Sequence, residues 1–262
     1  MNILKKIIAD KRIEVAQKKK FIPEEYLQSR DEFFEECASL KNSLIEENAT
    51  GIIAEFKRKS PSKGWINKKI DIFDVVADYE IHGASGVSVL TDEIYFGGTL
   101  DDLINARIML DGPILRKDFI IDEYQVIETK AWGADVILLI ADVLTKQQII
   151  KFSFKAKEIG LEVLLEIHDE SELGHICENV DIVGVNNRNL KTLEVDINTS
   201  LRLSELIPAD KIKISESGIN NVASIHLLRQ HGFKGFLIGE NFMKEKNPGK
   251  VFSKFVSQLK IK

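Results

Sequence analysis

From residue 51 to residue 238 the chain repeats one texture: a short run rich in Ile, Val and Leu, then a longer stretch with apolar residues every three or four positions. The short runs cover 51–56, 86–91, 113–117, 135–140, 162–167, 181–186, 212–215 and 235–238. Continuous apolar runs of this length predict strands buried on both faces, the kind found in parallel sheets. The stretches between them predict helices over 70–82, 100–110, 124–132, 146–159 and 222–231. The strand starts recur about every 26 residues, and eight such units predict an α/β fold of the closed (βα)8 TIM-barrel type. The competing fold is a doubly wound open sheet. It usually has fewer strands and a G-x-G-x-x-G turn after the first, which this sequence lacks.

Before residue 51 the pattern is helical only. Ile3, Leu4, Ile7, Ile8, Ile13, Val15 and Ala16 alternate with lysines over residues 3–20, which predicts an amphipathic helix with a solvated lysine face. Asp10 and Glu14 interrupt that face, against a membrane-surface role. A second helix is expected over 23–36. No linker rich in Gly, Pro or Ser appears, so one domain over 1–262 is expected, with a helical extension at 1–48 and the barrel at 49–262.

The 262 residues suit one such barrel, and 44% apolar and 29% charged residues are ordinary for a globular protein. A formal charge of −5 leaves no excess of cations to neutralise phosphates, so a general nucleic-acid binder is not expected. Cys37 and Cys177 lack metal-ligand spacing and read as free thiols of a reducing compartment. No apolar run reaches 18 residues and the N-terminus has no signal-like core. A cytoplasmic protein without a membrane partner is expected, and a monomer, since no exposed apolar stripe is legible.

Barrel active sites lie at the C-terminal ends of the strands. Polar residues there are Glu55 and Lys57, Thr91 and Asp92, Lys117 and Asp118, Glu166, Asn186 and Arg188, Glu216 and Ser217, and Gly239 and Glu240. Any one charge at a strand end can simply reach solvent. Two lysines and three glutamates on one rim point instead to coexisting acids and bases. Ser217-Gly218 and Gly239-Glu240 follow the last two strands, where barrels often build phosphate sites, although ordinary turns also use such glycines. The loop Lys57–Gly64 is basic and turn-rich, and reads either as a solvated loop or as a mobile lid. His168 lies two residues after Glu166, which raises a metal pair, but a lone histidine past a strand is usually structural. None of the five histidines has H-E-x-x-H spacing, so a metal is not expected.

Two long motifs, Ile53-Ala54-Glu55-Phe56-Lys57-Arg58-Lys59-Ser60-Pro61-Ser62-Lys63-Gly64 and Leu115-Arg116-Lys117-Asp118-Phe119-Ile120, resemble the first- and third-strand signatures of the indole-3-glycerol phosphate synthases. Further matches follow in order at Leu164–His168, Gly184–Leu190, Ser215–Ile219 and Leu237–Glu240, so the resemblance covers nearly the whole chain. It implies ring closure, decarboxylation and dehydration of 1-(2-carboxyphenylamino)-1-deoxyribulose 5-phosphate, with no cofactor. It implies Lys117 as the acid at the carbonyl oxygen and Glu166 as the base in dehydration. Lys57 would hold the substrate and serve as an acid in dehydration, with Glu55 orienting it. Asn186 and Glu216 would bind the substrate and its hydroxyls. Ser62, Arg188, Ser217, Gly218, Gly239 and Glu240 would surround substrate and phosphate, the last two mainly through backbone. Phe96, Phe119 and Leu138 would sandwich the aromatic ring, although apolar residues near strand ends are also ordinary core. The sequence departs from the family's usual residues at Lys59, Asn189 and Asn241. It ends soon after the eighth unit, so no fused phosphoribosylanthranilate isomerase is expected.

Two other readings remain at this point. Another phosphosugar barrel isomerase or epimerase would share the architecture; the related isomerase would need a cysteine–aspartate pair, and Cys37 and Cys177 are expected in helices off the rim. A non-catalytic binding barrel predicts loss of a rim charge, and none of Glu55, Lys57, Lys117, Glu166 or Glu216 is missing.

Overall fold

All eight apolar runs are strands in the computed structural model, which describes residues 3–260. They are β1 (Ile52–Phe56), β2 (Gly86–Leu90), β3 (Ile114–Lys117), β4 (Val136–Ile140), β5 (Glu162–Ile167), β6 (Ile182–Asn186), β7 (Ile212–Glu216) and β8 (Gly235–Ile238). Each pairs in parallel with its sequence neighbours, and β8 pairs back onto β1, which closes the barrel. Closure is visible at Ile53, which lies opposite Leu237 on one side and Gly86 on the other.

The strand alternation separates two apolar layers. Ile53, Leu115, Val136, Leu138, Ile140, Leu164, Ile182, Ile214 and Leu237 fill the barrel interior. Ile52, Ala54, Val87, Val89, Ile137, Leu139, Val163 and Leu165 face outward, under the helices. Continuing the inward parity one step toward the C-terminal end reaches Glu55, Lys117, Glu166, Glu216 and Gly239, and a second step on β6, past Gly184, reaches Asn186 beside Glu216. The side chains singled out at the rim are therefore the top layer of the interior.

The outer helices are capped where the sequence turns polar. Thr99 and Asp102 form a capping box for Leu100–Met109, and Thr145 and Gln148 another for Lys146–Glu158. The remaining expected helices run Phe73–Ile81, Glu123–Ala131 and Val222–Gln230. Asn198–Leu203 and Pro248–Lys260 are helices that the periodicity did not reveal. Phe252, Phe255 and Val256 bury Pro248–Lys260 against the barrel, where Tyr79, Phe242 and Phe252 form a cluster of edge and tilted ring contacts.

The extension differs from expectation in three places. The first helix, α1 (Ile3–Phe21), buries Leu4, Ile7, Lys11 and Val15, while Ile13 is 61% exposed. One lysine thus turns inward because carboxylates of the barrel meet it. The expected helix over 23–36 is only α2 (Glu24–Gln28), followed by a 3-10 turn at Asp31–Phe33. Arg30 breaks it: its backbone is extended, and its guanidinium donates to the Ala131 carbonyl and stacks on Trp132. Then α3 (Leu40–Ile45), also unforeseen, places Leu40 and Leu44 in the interior layer and plugs the bottom of the barrel. Neither cysteine is helical. Cys37 lies in the segment before α3, with Lys130 Nζ 3.0 Å from its Sγ, and Cys177 lies in the loop before β6.

Candidate active site

A cavity of about 560 Å³ opens at the C-terminal mouth of the barrel, within the size range of small-molecule sites. Each residue expected at the site lines it: Glu55, Lys57, Ser62, Phe96, Lys117, Phe119, Leu138, Glu166, Asn186, Arg188, Glu216, Ser217, Gly218, Gly239 and Glu240. Neither thiol does, which leaves the cysteine–aspartate chemistry of the alternative isomerase without its cysteine.

Lys117 stands at the centre. Its ammonium donates to Glu166 Oε2 at 2.6 Å and to Glu216 Oε2 at 2.8 Å. Burial alone would push this ammonium toward losing its proton, but Glu166, Glu216 and Glu55 outweigh it and hold the group charged. Glu166 is buried too, and burial alone would raise its carboxyl. Lys117 and His168 reverse that and hold it well below the usual carboxylate range. Glu216 goes the other way. Burial, reinforced by Glu166 and Glu55 and only partly countered by Lys117, pushes its carboxyl up to about 7. One cation between two carboxylates of opposite tendency gives the site a fixed anion and a carboxyl that exchanges its proton near neutrality.

Glu55 and Lys57, two apart on β1 and its continuation, share a face, and the Lys57 ammonium donates to Glu55 Oε1. Two glycines make room for these carboxylates. A Cβ on Gly184 would overlap Glu216 Oε1, and one on Gly239 would overlap Glu55 Oε1. Asn186 donates to Glu166 Oε1 at 3.0 Å and accepts from the Arg188 backbone N–H.

One side of the mouth is polar. Ser217 and Gly218 both have left-handed backbone, at φ 66° and 76°. Left-handed backbone at both positions turns the chain sharply just after β7, so that Ser217 and Gly218 line the mouth. Buried Asn187 holds the loop by donating to the Ser217 carbonyl and to Ser215 Oγ. Lys63 pairs with Glu240 at 2.9 Å across the entrance. The basic loop is tied down: a short hairpin pairs Lys59–Ser60 with Gly64–Trp65, and Arg58 makes a two-pronged pair with Asp102 at 2.6 and 2.7 Å.

The other side is apolar. The rings of Phe96 and Phe119 lie 6.0 Å apart at 44°, with Leu138 on the floor. Ile3, Leu4 and Ile7 of α1 complete this wall, a contribution that sequence reading missed because a helix before the barrel carries no strand-end address. Lys11, one turn further along α1, explains how the helix is fixed. Its ammonium lies 3.0 Å from Asp92, 2.9 Å from Asp118 and 2.8 Å from Glu14. Asp118 also meets Arg116, which in turn meets Glu128. His168, read from the sequence as structural, lies outside the cavity lining, with Nε2 3.2 Å from Glu166 Oε1 and Nδ1 3.3 Å from Glu172 Oε2.

Among the described residues no group of three or more His, Cys, Asp and Glu side chains is arranged to hold a metal ion, and no helix is long and apolar enough to cross a membrane.

Residues 4–255 match the family model described as Indole-3-glycerol phosphate synthase. The indole-3-glycerol phosphate synthase of Bacteroides thetaiotaomicron is 46% identical over 258 residues, covering 98% of this chain and 99% of that protein. That of Neisseria meningitidis is 42% identical over 262 residues, covering 96% and 99%. Among solved structures, 3-hexulose-6-phosphate synthase from Salmonella typhimurium superposes with a TM-score of 0.61 at 14% identity, covering 80% of this chain and 100% of that one. A tryptophan synthase structure from Pyrococcus furiosus gives 0.59 at 16%, covering 80% and 97%. At such identities the last two speak for the barrel alone. The residues that build the charged mouth fall within the matched span, and the named relatives align over nearly their whole length: the chain belongs to the indole-3-glycerol phosphate synthase family.

Proposed function

We propose that this mouth closes the indole ring of 1-(2-carboxyphenylamino)-1-deoxyribulose 5-phosphate, releasing CO₂ and water in tryptophan biosynthesis, with the following roles for its side chains. The apolar wall of Phe96, Phe119 and Leu138 takes the aromatic ring. The loop at Ser217 and Gly218 after β7, with Arg188 and the backbone of Gly239 and Glu240 after β8, takes the phosphate. This places the ketone of the linking chain beside Lys117. The ring carbon that carries the carboxylate attacks the ketone carbon, and Lys117 gives its proton to the oxygen that becomes hydroxyl. Loss of CO₂ leaves its electron pair in the ring and restores aromaticity. The hydroxyl then departs as water with a proton from Lys57, which Glu55 orients, and Glu166 takes the proton that leaves the five-membered ring. Asn186 and Glu216 hold the substrate hydroxyls, and Ser62 closes over the substrate from the loop.

The observation that carries this reading is the Lys117 ammonium held between Glu166 and Glu216 beside an apolar wall. An acid held charged in a partly dry site can both stabilise the developing alkoxide and protonate it without bulk water. The test is incubation of the purified protein with the carboxyphenylamino-deoxyribulose phosphate, without added metal, followed by indole absorbance and fluorescence. Turnover is expected, and Lys117→Ala is expected to lower kcat by about 10²–10⁴. No indole signal, or full turnover by Lys117→Ala, would overturn it. A cytoplasmic monomer belongs to the same reading; sedimentation at twice the 29.6 kDa chain mass would refute the monomer.

A further inference from the structure

His168 sits just beyond β5, at the edge of the cavity and outside its lining. Its Nε2 lies 3.2 Å from Glu166 Oε1 and its Nδ1 lies 3.3 Å from Glu172 Oε2. Glu172, in the 3-10 turn Glu170–His175, is 6% exposed, and the His168 backbone N–H donates to the same Oε2 at 2.7 Å. Both ring nitrogens therefore face carboxylate oxygens. A neutral imidazole carries one N–H and can answer only one of them, whereas the imidazolium answers both.

The two basic side chains beside Glu166 meet different oxygens: Lys117 donates to Oε2, and His168 Nε2 lies 3.2 Å from Oε1. This matters in time. When Lys117 gives up its proton, it no longer balances Glu166, and an isolated buried carboxylate would take a proton from its surroundings. The base needed for the dehydration would then be lost midway through the cycle.

We infer that His168 is a positioning residue of this site: as an imidazolium bridging Glu166 and Glu172, it aims Glu166 at the cavity and keeps it anionic after Lys117 has spent its proton. The inference rests on the reading of Glu166 as a base. The groups that face the ring or its partners are Glu166 on β5, Glu172 and Asp169 around the 3-10 turn, Lys117 on β3, Asn186 on β6, and Lys191 beyond β6, which acts on Asp169. Burial alone would drive the His168 ring neutral; Glu166 and Glu172 outweigh it and push its titration up to about 10.

The test has two arms on the full-length protein. Heteronuclear NMR follows the His168 ring through pH in the wild type and in Glu172→Gln. The wild-type ring should keep both protons beyond pH 8, and Glu172→Gln should lower its midpoint by more than one unit. Titration near the ordinary histidine value of 6.5 would overturn the inference. The second arm compares kcat and KM against pH for wild type and His168→Gln. With both proteins carrying Glu216→Gln, which removes the carboxyl that titrates near 7, the acid limb of kcat reports Glu166 and should move upward by one unit or more while KM changes less than threefold. Coincident acid limbs would overturn the inference as well. If His168→Gln does not fold, the NMR arm decides alone. A wild type that makes no indole product sinks the reading of Glu166 as a base, whatever the ring titration shows.

Discussion

Lys11→Met removes the one cation that α1 inserts between Asp92 and Asp118, and the size of the loss follows from what each carboxylate keeps. Asp118 retains Arg116 at 3.1 Å, the Thr91 hydroxyl at 2.7 Å and the Phe119 backbone N–H at 2.8 Å. Asp92 retains the Tyr95 N–H on Oδ1 at 2.8 Å, but among the described residues its Oδ2 has only Lys11 at 3.0 Å. Removing one member of a buried pair costs about 3–5 kcal/mol, and the partners left to Asp118 place this case near 3 kcal/mol. For a chain of this size that lowers Tm by roughly 6–12 °C. Urea unfolding followed by the fluorescence of Trp65 and Trp132 measures it. Adding Asp92→Asn to Lys11→Met removes the stranded charge while keeping an N-cap at the short helix Glu93–Phe96. The double variant should recover at least about 1 kcal/mol, since neighbouring sites are not additive. A Lys11→Met protein within about 0.5 kcal/mol of wild type, or no recovery in the double variant, would refute the account of the buried network as the fastening of α1.

Three further outcomes are expected. Gly98→Ala would drive a Cβ into the Leu90 carbonyl oxygen, a backbone atom that cannot swing away, so a loss of about 2 kcal/mol is expected by the same unfolding assay. Ile7→Asn puts a polar group into the apolar wall and should raise KM roughly tenfold while leaving kcat within about threefold, as read by steady-state indole formation. Glu216 has its carboxyl raised from 4.5 to about 7, so the folded state binds its proton more tightly than the unfolded chain does. That contribution to stability is complete below pH 4.5 and is lost as pH rises to about 7. Glu216→Gln should flatten that slope in unfolding free energies measured across the window, and a slope identical to wild type would contradict it.

The barrel and its charged rim were legible in the sequence because both depend on strand parity, which local pattern carries directly. Glu55, Lys117, Glu166 and Glu216 share the parity of Ile53, Leu115, Leu164 and Ile214, so the alternation that defines the interior also points these side chains into the mouth. What stayed hidden depends on distant partners. Nothing near Lys11 marks it as buried; Asp92 and Asp118 do that from more than eighty residues away. Leu40 and Leu44 looked like ordinary apolar residues, and only a closed barrel offers them a floor to plug. His168 had the right parity, but its meaning needed Glu172, which a 3-10 turn brings back beneath it.

Because the reactive side chains are the uppermost rung of the interior stack, their position is tied to strand length in whole residues. Deleting one residue from β3 or β5 would turn Lys117 or Glu166 outward under the helices and bring an apolar neighbour into the mouth. Length changes in the connecting loops alter reach and flexibility without rotating any strand. Insertions and deletions should therefore accumulate between the strands, for example around Asn189–Val195 or Lys244–Asn247, and should be purged within them. A scan of single-residue deletions would show that boundary as a sharp step in activity at each strand edge.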